Sequence, residues 1–458
     1  MHKSSRLLLL AVAALMVFGL SFAACGGGGE EKGEPTKEGA FPTPVSGPGV
    51  GETIGVTDTS IKLGTLLPLS NTPATAWGVP EAAAMKVYFD WLNDNGGIYG
   101  RKVELVVGDS QYNGPSGSEA ARNLVEQSQV FAMMGTIGIE VELAIMPYLQ
   151  EKGVPDMLIQ ASERDTVEPL SYQRYRWLVD YEKEGSIIGN YIGENYKDQK
   201  VGILAQNDEF GKAGELGVKD GLAQAGSNSE TTTQYYDATV TDMTSQIQRL
   251  KADGAEVIVE YASPSQAASG IKVARETLSW DVPFFMTGVN AAEIMGALAG
   301  YDNIQGAITV SFGPQATATE IPAVKQFQDN MKKYAPDAQI NSVAFSAYAL
   351  GQAMTAILIQ TGPDLTRTNF LKAAETICKW DNGGVWTPKS LSPTDHDWNE
   401  AERFVKATGT GDSFKWATFG DVIDLETTKD CKAPAQPAEA TKQPDWAPQG
   451  VTNPTPLP

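Results

Sequence analysis

The stretch Ile61–Asp109, IKLGTLLPLSNTPATAWGVPEAAAMKVYFDWLNDNGGIYGRKVELVVGD, leaves this chain few folds to choose from. Ile61–Leu67 is a short apolar run of strand character, and Pro68–Thr75 carries loop chemistry. Glu81–Asn93 sets Ala84, Val87, Tyr88, Trp91 and Leu92 on one helical face. Asn95-Gly96-Gly97 stops that helix, and Val103–Val107 is a second strand. Strand, crossover helix and strand make a right-handed unit with parallel strands. Open sheets of this kind bind ligands at the carboxyl ends of their strands, so the loop Pro68–Trp77 is expected at a cleft.

The alternation continues down the chain. Further strands are expected at Val130–Met134, Val154–Ile159, Lys200–Ala205, Glu256–Glu260 and Val282–Met286. Helices are expected at Gly117–Gln129, Val141–Lys152, Gly185–Tyr196, Lys212–Ala225, Met243–Ala252, Gln266–Leu278 and Val343–Gln360. Such alternation builds a parallel sheet with helices on both faces. Two sets of it predict an α/β chain of two doubly wound parallel-sheet lobes joined by a hinge. The expected division is 61–180 for lobe 1, 181–311 for lobe 2, 312–385 for a return to lobe 1, and 386–431 for the hinge and a C-terminal segment of lobe 2.

The chain ends are of another kind. Residues 1–24 have signal-peptide layout, with Lys3 and Arg6 ahead of the apolar run Leu7–Leu20. Small residues then precede Cys25, as in a lipoprotein signal. Cys25 is read as the lipidated first residue of the mature chain; the alternative is ordinary cleavage nearby, with Cys25 a free thiol. Gly- and Pro-rich residues from Gly26 to Ser60 cannot bury a core and read as a tether of about 30 Å root-mean-square reach. The tail 432–458 is Pro-rich and expected to be disordered. The remaining cysteines, Cys378 and Cys431, are expected to bridge in an oxidising compartment, the alternative being two buried thiols. The net charge of −21 argues against a nucleic-acid partner, whose phosphates need a basic face.

The segments IKLG, LLPLSN, AWG, NDNGGIYGRKVELVVGD and QNDEFG resemble, in order and spacing, the branched-chain-amino-acid (Leu/Ile/Val) binding proteins. These form the type I periplasmic-binding-protein family, the solute receptors of ABC transporters. The resemblance runs from about Ile61 to about Cys431. It implies that Trp77 gives an aromatic wall to the cleft, where the bland alternative is a core tryptophan anchoring a helix start. It implies that the loop Gly135–Ile139 holds a ligand carboxylate with backbone amides, with Gly138 or Ile139 standing where relatives have a serine. Gln160, Ala161 and Ser162 match a second anchoring segment, and Phe210 matches a position often held by tyrosine on the facing lobe. Tyr261 and Ser263 lie at the next strand exit, and Val289 and Asn290 at the one after. Each of these also reads as ordinary strand-exit or helix-start packing. At the last exit the family's amino-acid receptors set a carboxylate against the ligand ammonium, and Phe285-Met-Thr-Gly-Val-Asn290 offers none. Glu140, Glu142 and Asp208 are the candidate substitutes. The departure favours a ligand with a carboxylate or amide end and an apolar or aromatic body over a plain amino acid.

Catalysis finds little support. The mature chain has one histidine, His396, no His/Cys cluster of metal-ligand spacing and no P-loop. No cofactor or metal is expected. The reading is a monomeric, extracytoplasmic receptor, lipid-anchored to the membrane, that delivers a small-molecule ligand to ABC permease subunits. The rival reading is a sensory ligand-binding subunit that signals instead of transporting.

Overall fold

The computed structural model describes residues 53–162, 173–428 and 430–431. The leader, Cys25, most of the tether and the tail 432–458 lie outside the described residues. Lobe 1 opens with β1 (Ser60–Leu67), α1 (Thr75–Asp94), β2 (Lys102–Asp109), α2 (Gly114–Arg122), β3 (Ala132–Met134), α3 (Ile139–Glu151), β4 (Asp156–Ile159) and β5 (Arg174–Arg176). Its sheet runs β2-β1-β3-β4-β5 with every pairing parallel. Strand β1 is in register with β2 along its whole length, from Ser60↔Lys102 to Leu67↔Asp109.

Lobe 2 follows with α4 (Tyr181–Asn195), β6 (Val201–Gln206), α5 (Glu209–Gln224), β7 (Thr231–Tyr236), α6 (Thr244–Ala252), β8 (Val257–Tyr261), α7 (Pro264–Lys272), β9 (Phe284–Met286), α8 (Ile294–Ala299) and β10 (Ile308–Ser311). The chain then returns to lobe 1 with α9 (Pro322–Tyr334), α10 (Ser342–Thr361) and α11 (Arg367–Ala374), and α9 and α10 pack on α1. It ends in lobe 2 with β11 (Ala401–Thr408), β12 (Lys415–Thr418) and β13 (Ile423–Asp424). The second sheet runs β12-β11-β10-β9-β8-β6-β7, parallel from β7 to β10 and antiparallel at β11 and β12. The architecture is two α/β lobes with parallel cores, as the alternation predicts. Helix α10 is long and apolar enough to cross a membrane, yet it is a core helix, 83% buried.

Several elements differ from the sequence expectation. Helix α1 begins at Thr75, ahead of Pro80, so Trp77 lies in its first turn and not in a loop. Gly78 makes this possible: a Cβ there would stand 2.3 Å from the Pro68 carbonyl, so only glycine lets the turn sit on the exit of β1. Strand β5 hides behind charges, Arg174 and Arg176. Arg174 is buried between Glu142 and Asp156, each 3.0 Å away. Strand β7, TTTQYY, is a half-buried edge with little apolar signal. Helix α2 runs on as a wide π turn over Asn123–Gln127.

The chain crosses between lobes three times: before α4, after β10 and before β11. The first and third crossings are clasped by Arg176. Its guanidinium reaches both Asp397 oxygens, at 2.6 and 2.8 Å, and Asp180 at 2.8 Å. Asp180 in turn caps α4 by accepting the Glu182 and Lys183 N–H groups. Burial alone would raise the Asp397 carboxyl; Arg176 and Lys183 outweigh it and hold the carboxyl below its usual range. The third crossing lies inside the loop closed by the Cys378–Cys431 disulfide. Arg176→Ala leaves Asp180 without its cation and Asp397 with only Lys183 at 3.6 Å, and is expected to cost about 3–5 kcal/mol. Arg176→Lys should recover only part, since one ammonium cannot serve both acids. Urea denaturation checks this, and a loss below about 1 kcal/mol, the scale of an exposed pair, would refute the clasp.

Candidate functional site

Between the lobes lies a cleft with about 1030 Å³ of free space up to its mouth. Its lining comes from α1 and from the loops leaving the carboxyl ends of β2, β3, β4, β5, β6, β9 and β10. One wall, from lobe 1, is built on Trp77, Glu81, Tyr112, Ile139 and Gln160, the other on Phe210, Val289 and Ala292. The floor is the joint itself, with Trp177, Phe312 and Val385, one from each crossing. The Trp177 ring stacks on Trp398 at 6.3 Å and meets Phe312 edge-on at 6.4 Å. Asn399 donates to the Trp177 carbonyl at 2.6 Å.

The lobe 1 wall is held by short local contacts. Trp77 packs on Tyr112, ring centres 6.1 Å apart. Its indole N–H is buried and has no hydrogen-bond partner among the described residues. Gly138 precedes α3 with φ of 110°, a backbone state that side chains rarely adopt. A Cβ at Gly138 would also stand 2.9 Å from the Tyr112 ring, so Tyr112 reaches its place because residue 138 is glycine. Gln160 donates its side-chain N–H to the Gly135 carbonyl at 3.1 Å and to Glu81. Glu81 is only 4% exposed. Burial raises its carboxyl to about 8, with the Gln160 bond pulling weakly the other way.

On lobe 2, Phe210 stands in the first turn of α5 with its ring against Tyr181 at 4.9 Å and Tyr261 at 5.8 Å. Val289 sits in a single 3-10 turn, Gly288–Asn290. Beneath it Glu184 accepts the Gly288 N–H at 3.0 Å. The lobes also touch across the cleft. Glu293 accepts both the N–H and the hydroxyl of Ser342, each at 2.8 Å, capping the start of α10.

Of the residues singled out in the sequence, Trp77, Gly138, Ile139, Gln160, Phe210 and Val289 line the cleft. Ala161, Ser162, Tyr261, Ser263 and Asn290 do not; they stand one layer behind it. Ser162 donates to the Leu178 carbonyl at 2.8 Å, Ser263 to Gln206 at 3.1 Å and Asn290 to the Ala262 carbonyl at 2.8 Å, while Tyr261 supports Phe210. None of Glu140, Glu142 and Asp208 lines the cleft, and Glu142 is paired with Arg174. Glu81 does line it, one helical turn after Trp77, a spacing that α1 read from its true start would have shown. His396 is a buried joint residue, stacked on Tyr175 at 4.2 Å with Nδ1 2.8 Å from the Arg174 carbonyl. No Lys, Arg or His is found among the described lining residues; the ionisable groups there are Glu81, Tyr112 and Tyr181.

Residues 60–412 match the model of the periplasmic binding protein family. The chain is 26% identical over 341 residues to "Leu/Ile/Val-binding protein homolog 7" of Brucella suis biovar 1 (strain 1330), covering 66% of this chain and 82% of that one. Among solved structures it is similar to a branched chain amino acid ABC transporter protein from Thermus thermophilus with bound valine, with TM-score 0.72 at 18% identity, covering 81% of this chain and 97% of that one. It is equally similar to a fatty acid ABC transporter substrate-binding protein from Thermomonospora curvata, with TM-score 0.71 at 20% identity, covering 86% and 96%. At these identities the solved structures speak for the fold alone.

Gly138→Ala should cost about 1–3 kcal/mol from its backbone state alone. It should cost less in a Tyr112→Ala background, where the ring clash is gone. Chemical denaturation of the single and double variants measures this; equal costs in both backgrounds would show that Tyr112 does not lean on residue 138.

Proposed function

We propose that this chain, which belongs to the periplasmic binding protein family, is the substrate-binding lipoprotein of an ABC importer and captures one small organic solute between its lobes. The family is extracytoplasmic and non-catalytic. On this reading the lobes close on the solute about their three-strand joint, and the closed form is what the permease recognises. The solute has an apolar or aromatic body and a carboxylate or amide end. The observation that carries the apolar body is the cleft, aromatic and aliphatic on both walls and the floor.

An ammonium in such a cleft would have to be paired, because an unpaired buried charge is costly. The loop at Val289, where amino-acid receptors of the family carry an acid, has its nearest carboxyl, Glu184, beneath it and engaged with a backbone N–H. That favours a solute other than a free branched-chain amino acid. The name of the Thermomonospora curvata neighbour, a fatty acid receptor, fits that direction.

Calorimetry with leucine and valine beside aromatic and short-chain carboxylates is expected to show tighter binding of a carboxylate with an apolar body. Trp77→Ala should weaken it by roughly 1–3 kcal/mol through lost apolar contact. Sub-micromolar leucine binding would overturn the ligand class. The anchor is tested separately: Cys25→Ser should release the protein from membranes while leaving its thermal transition in place, and equal membrane retention would remove the lipid anchor from this reading.

A further inference from the structure

We propose that Glu81, carrying its proton, and the indole N–H of Trp77 form the donor pair that holds an acceptor oxygen of the ligand. Glu81 is thereby the residue that selects a carboxylate end over an ammonium. The inference rests on the proposed ligand class and names the group that would enforce it.

The geometry comes first. Trp77 and Glu81 are four residues apart on α1 and both face the cleft. Trp77 is 7% exposed, and its buried indole N–H meets no acceptor among the described residues. A buried donor left unmade is expensive, so a ligand that supplies an acceptor is favoured there. Glu81 is oriented by one neighbour, the Gln160 side-chain N–H, which is itself anchored on the Gly135 carbonyl. That donor occupies one carboxyl oxygen, Oε2, so the other is the one left to carry the proton. The geometry of an acid donating to a carboxylate gives a short, charge-assisted hydrogen bond.

The charges around Glu81 agree. Gln160 is neutral, and the loop 137–139 and the start of α10 contribute no ionisable side chain to the lining. The other titratable groups on the cleft are the phenols of Tyr112 and Tyr181, both pushed up by burial and so neutral at working pH. Asp208 and Glu140, which are not among the lining residues, raise the Tyr112 phenol further. Burial is therefore the main influence on the Glu81 carboxyl, which titrates at about 8. Below that pH it is a donor; above it, an anion that repels a carboxylate and would instead attract an ammonium.

The two ligand classes consequently give opposite pH dependence. With 3-phenylpropionate and octanoate as probes, affinity is expected to be level from pH 6 to about 8. Above that it should fall by about tenfold per pH unit as Glu81 ionises. Glu81→Gln, which keeps a donor that does not titrate, should flatten this profile, and Glu81→Leu should weaken probe binding below about pH 8 and remove the fall above it. Trp77→Phe, which keeps the ring and removes the N–H, should weaken it without changing the pH profile. Calorimetry on the full-length protein reads all four. Probe binding with a flat profile in the unaltered protein overturns the role of Glu81 and leaves the ligand class standing. Affinity for leucine that rises with pH and is lost in Glu81→Gln overturns it in favour of an ammonium partner. Failure of every carboxylate probe to bind overturns the ligand class, and this inference with it.

Discussion

The two-lobed structure depends on one buried guanidinium. Arg176 ends the last strand of lobe 1, and its three bonded nitrogens reach acids on two different crossings. The pairing also sets backbone geometry: Arg176 accepts the Trp398 N–H at 3.0 Å and donates its own N–H to His396 at 2.9 Å. Asp180 then does two jobs, answering Arg176 and capping α4, so the first helix of lobe 2 starts where the clasp holds it. Lysine could match the charge but not the forked reach, which is why the residue type matters here.

Because the clasp lies at the joint, it also sets the cleft. Trp177 follows Arg176 directly, and its ring touches Phe312 of the second crossing and Trp398 of the third. Its indole N–H donates to Ser346 on α10 at 3.0 Å, tying the floor to lobe 1. Floor and joint are thus one set of residues, and any change in the angle between lobes changes the shape of the site. The walls need no such arrangement, since each belongs to one lobe. That division explains how a chain with a net charge of −21 keeps an apolar interior between its halves. Among the described residues, acids that enter the interior are paired, as Glu142 is with Arg174, or have their carboxyls pushed upward by burial, as Glu81 and Glu260 do.

The parallel strands were legible because strands buried on both faces read as short apolar runs, and β6 (VGILAQ) and β8 (VIVEY) are of that kind. Strand β5 was not legible: Arg-Tyr-Arg reads as surface until the acids that meet it, Glu142, Asp156 and Asp397, are in place. Those partners are contributed by distant segments, so no local pattern announces them. The same holds for the site. Strand exits pointed to the walls, and alternate side chains there face opposite ways, which is why Gln160 lines the cleft and Ala161 backs it. The floor was invisible, since Trp177, Phe312 and Val385 meet only through three separate crossings. Glu81 was hidden by a misplaced helix start: with the helix read from Glu81 instead of Thr75, its spacing from Trp77 carries no meaning.

The last constraint concerns the third crossing, which is the least supported by secondary structure. Between α11 and β11 the chain runs from residue 375 to 400 with isolated bridges, Trp380↔Lys389 and Arg176↔Asp397 among them. Irregular chain of that length is expected to be loose unless it is fixed at intervals. Here it is fixed on both sides. Arg176 holds it at Asp397, and the Cys378–Cys431 bridge closes a loop of 53 residues around it. In the chain-entropy view such a closure removes about 4 kcal/mol of unfolded-state freedom. The bridge also brings the segment after β13 against the crossing, where Thr427 and Thr428 donate to Asp395 at 2.8 and 2.6 Å. The disulfide therefore acts on the cleft at a distance. Neither cysteine is among the lining residues, yet the bridge holds down the segment that carries Val385 and Asn399 into the floor.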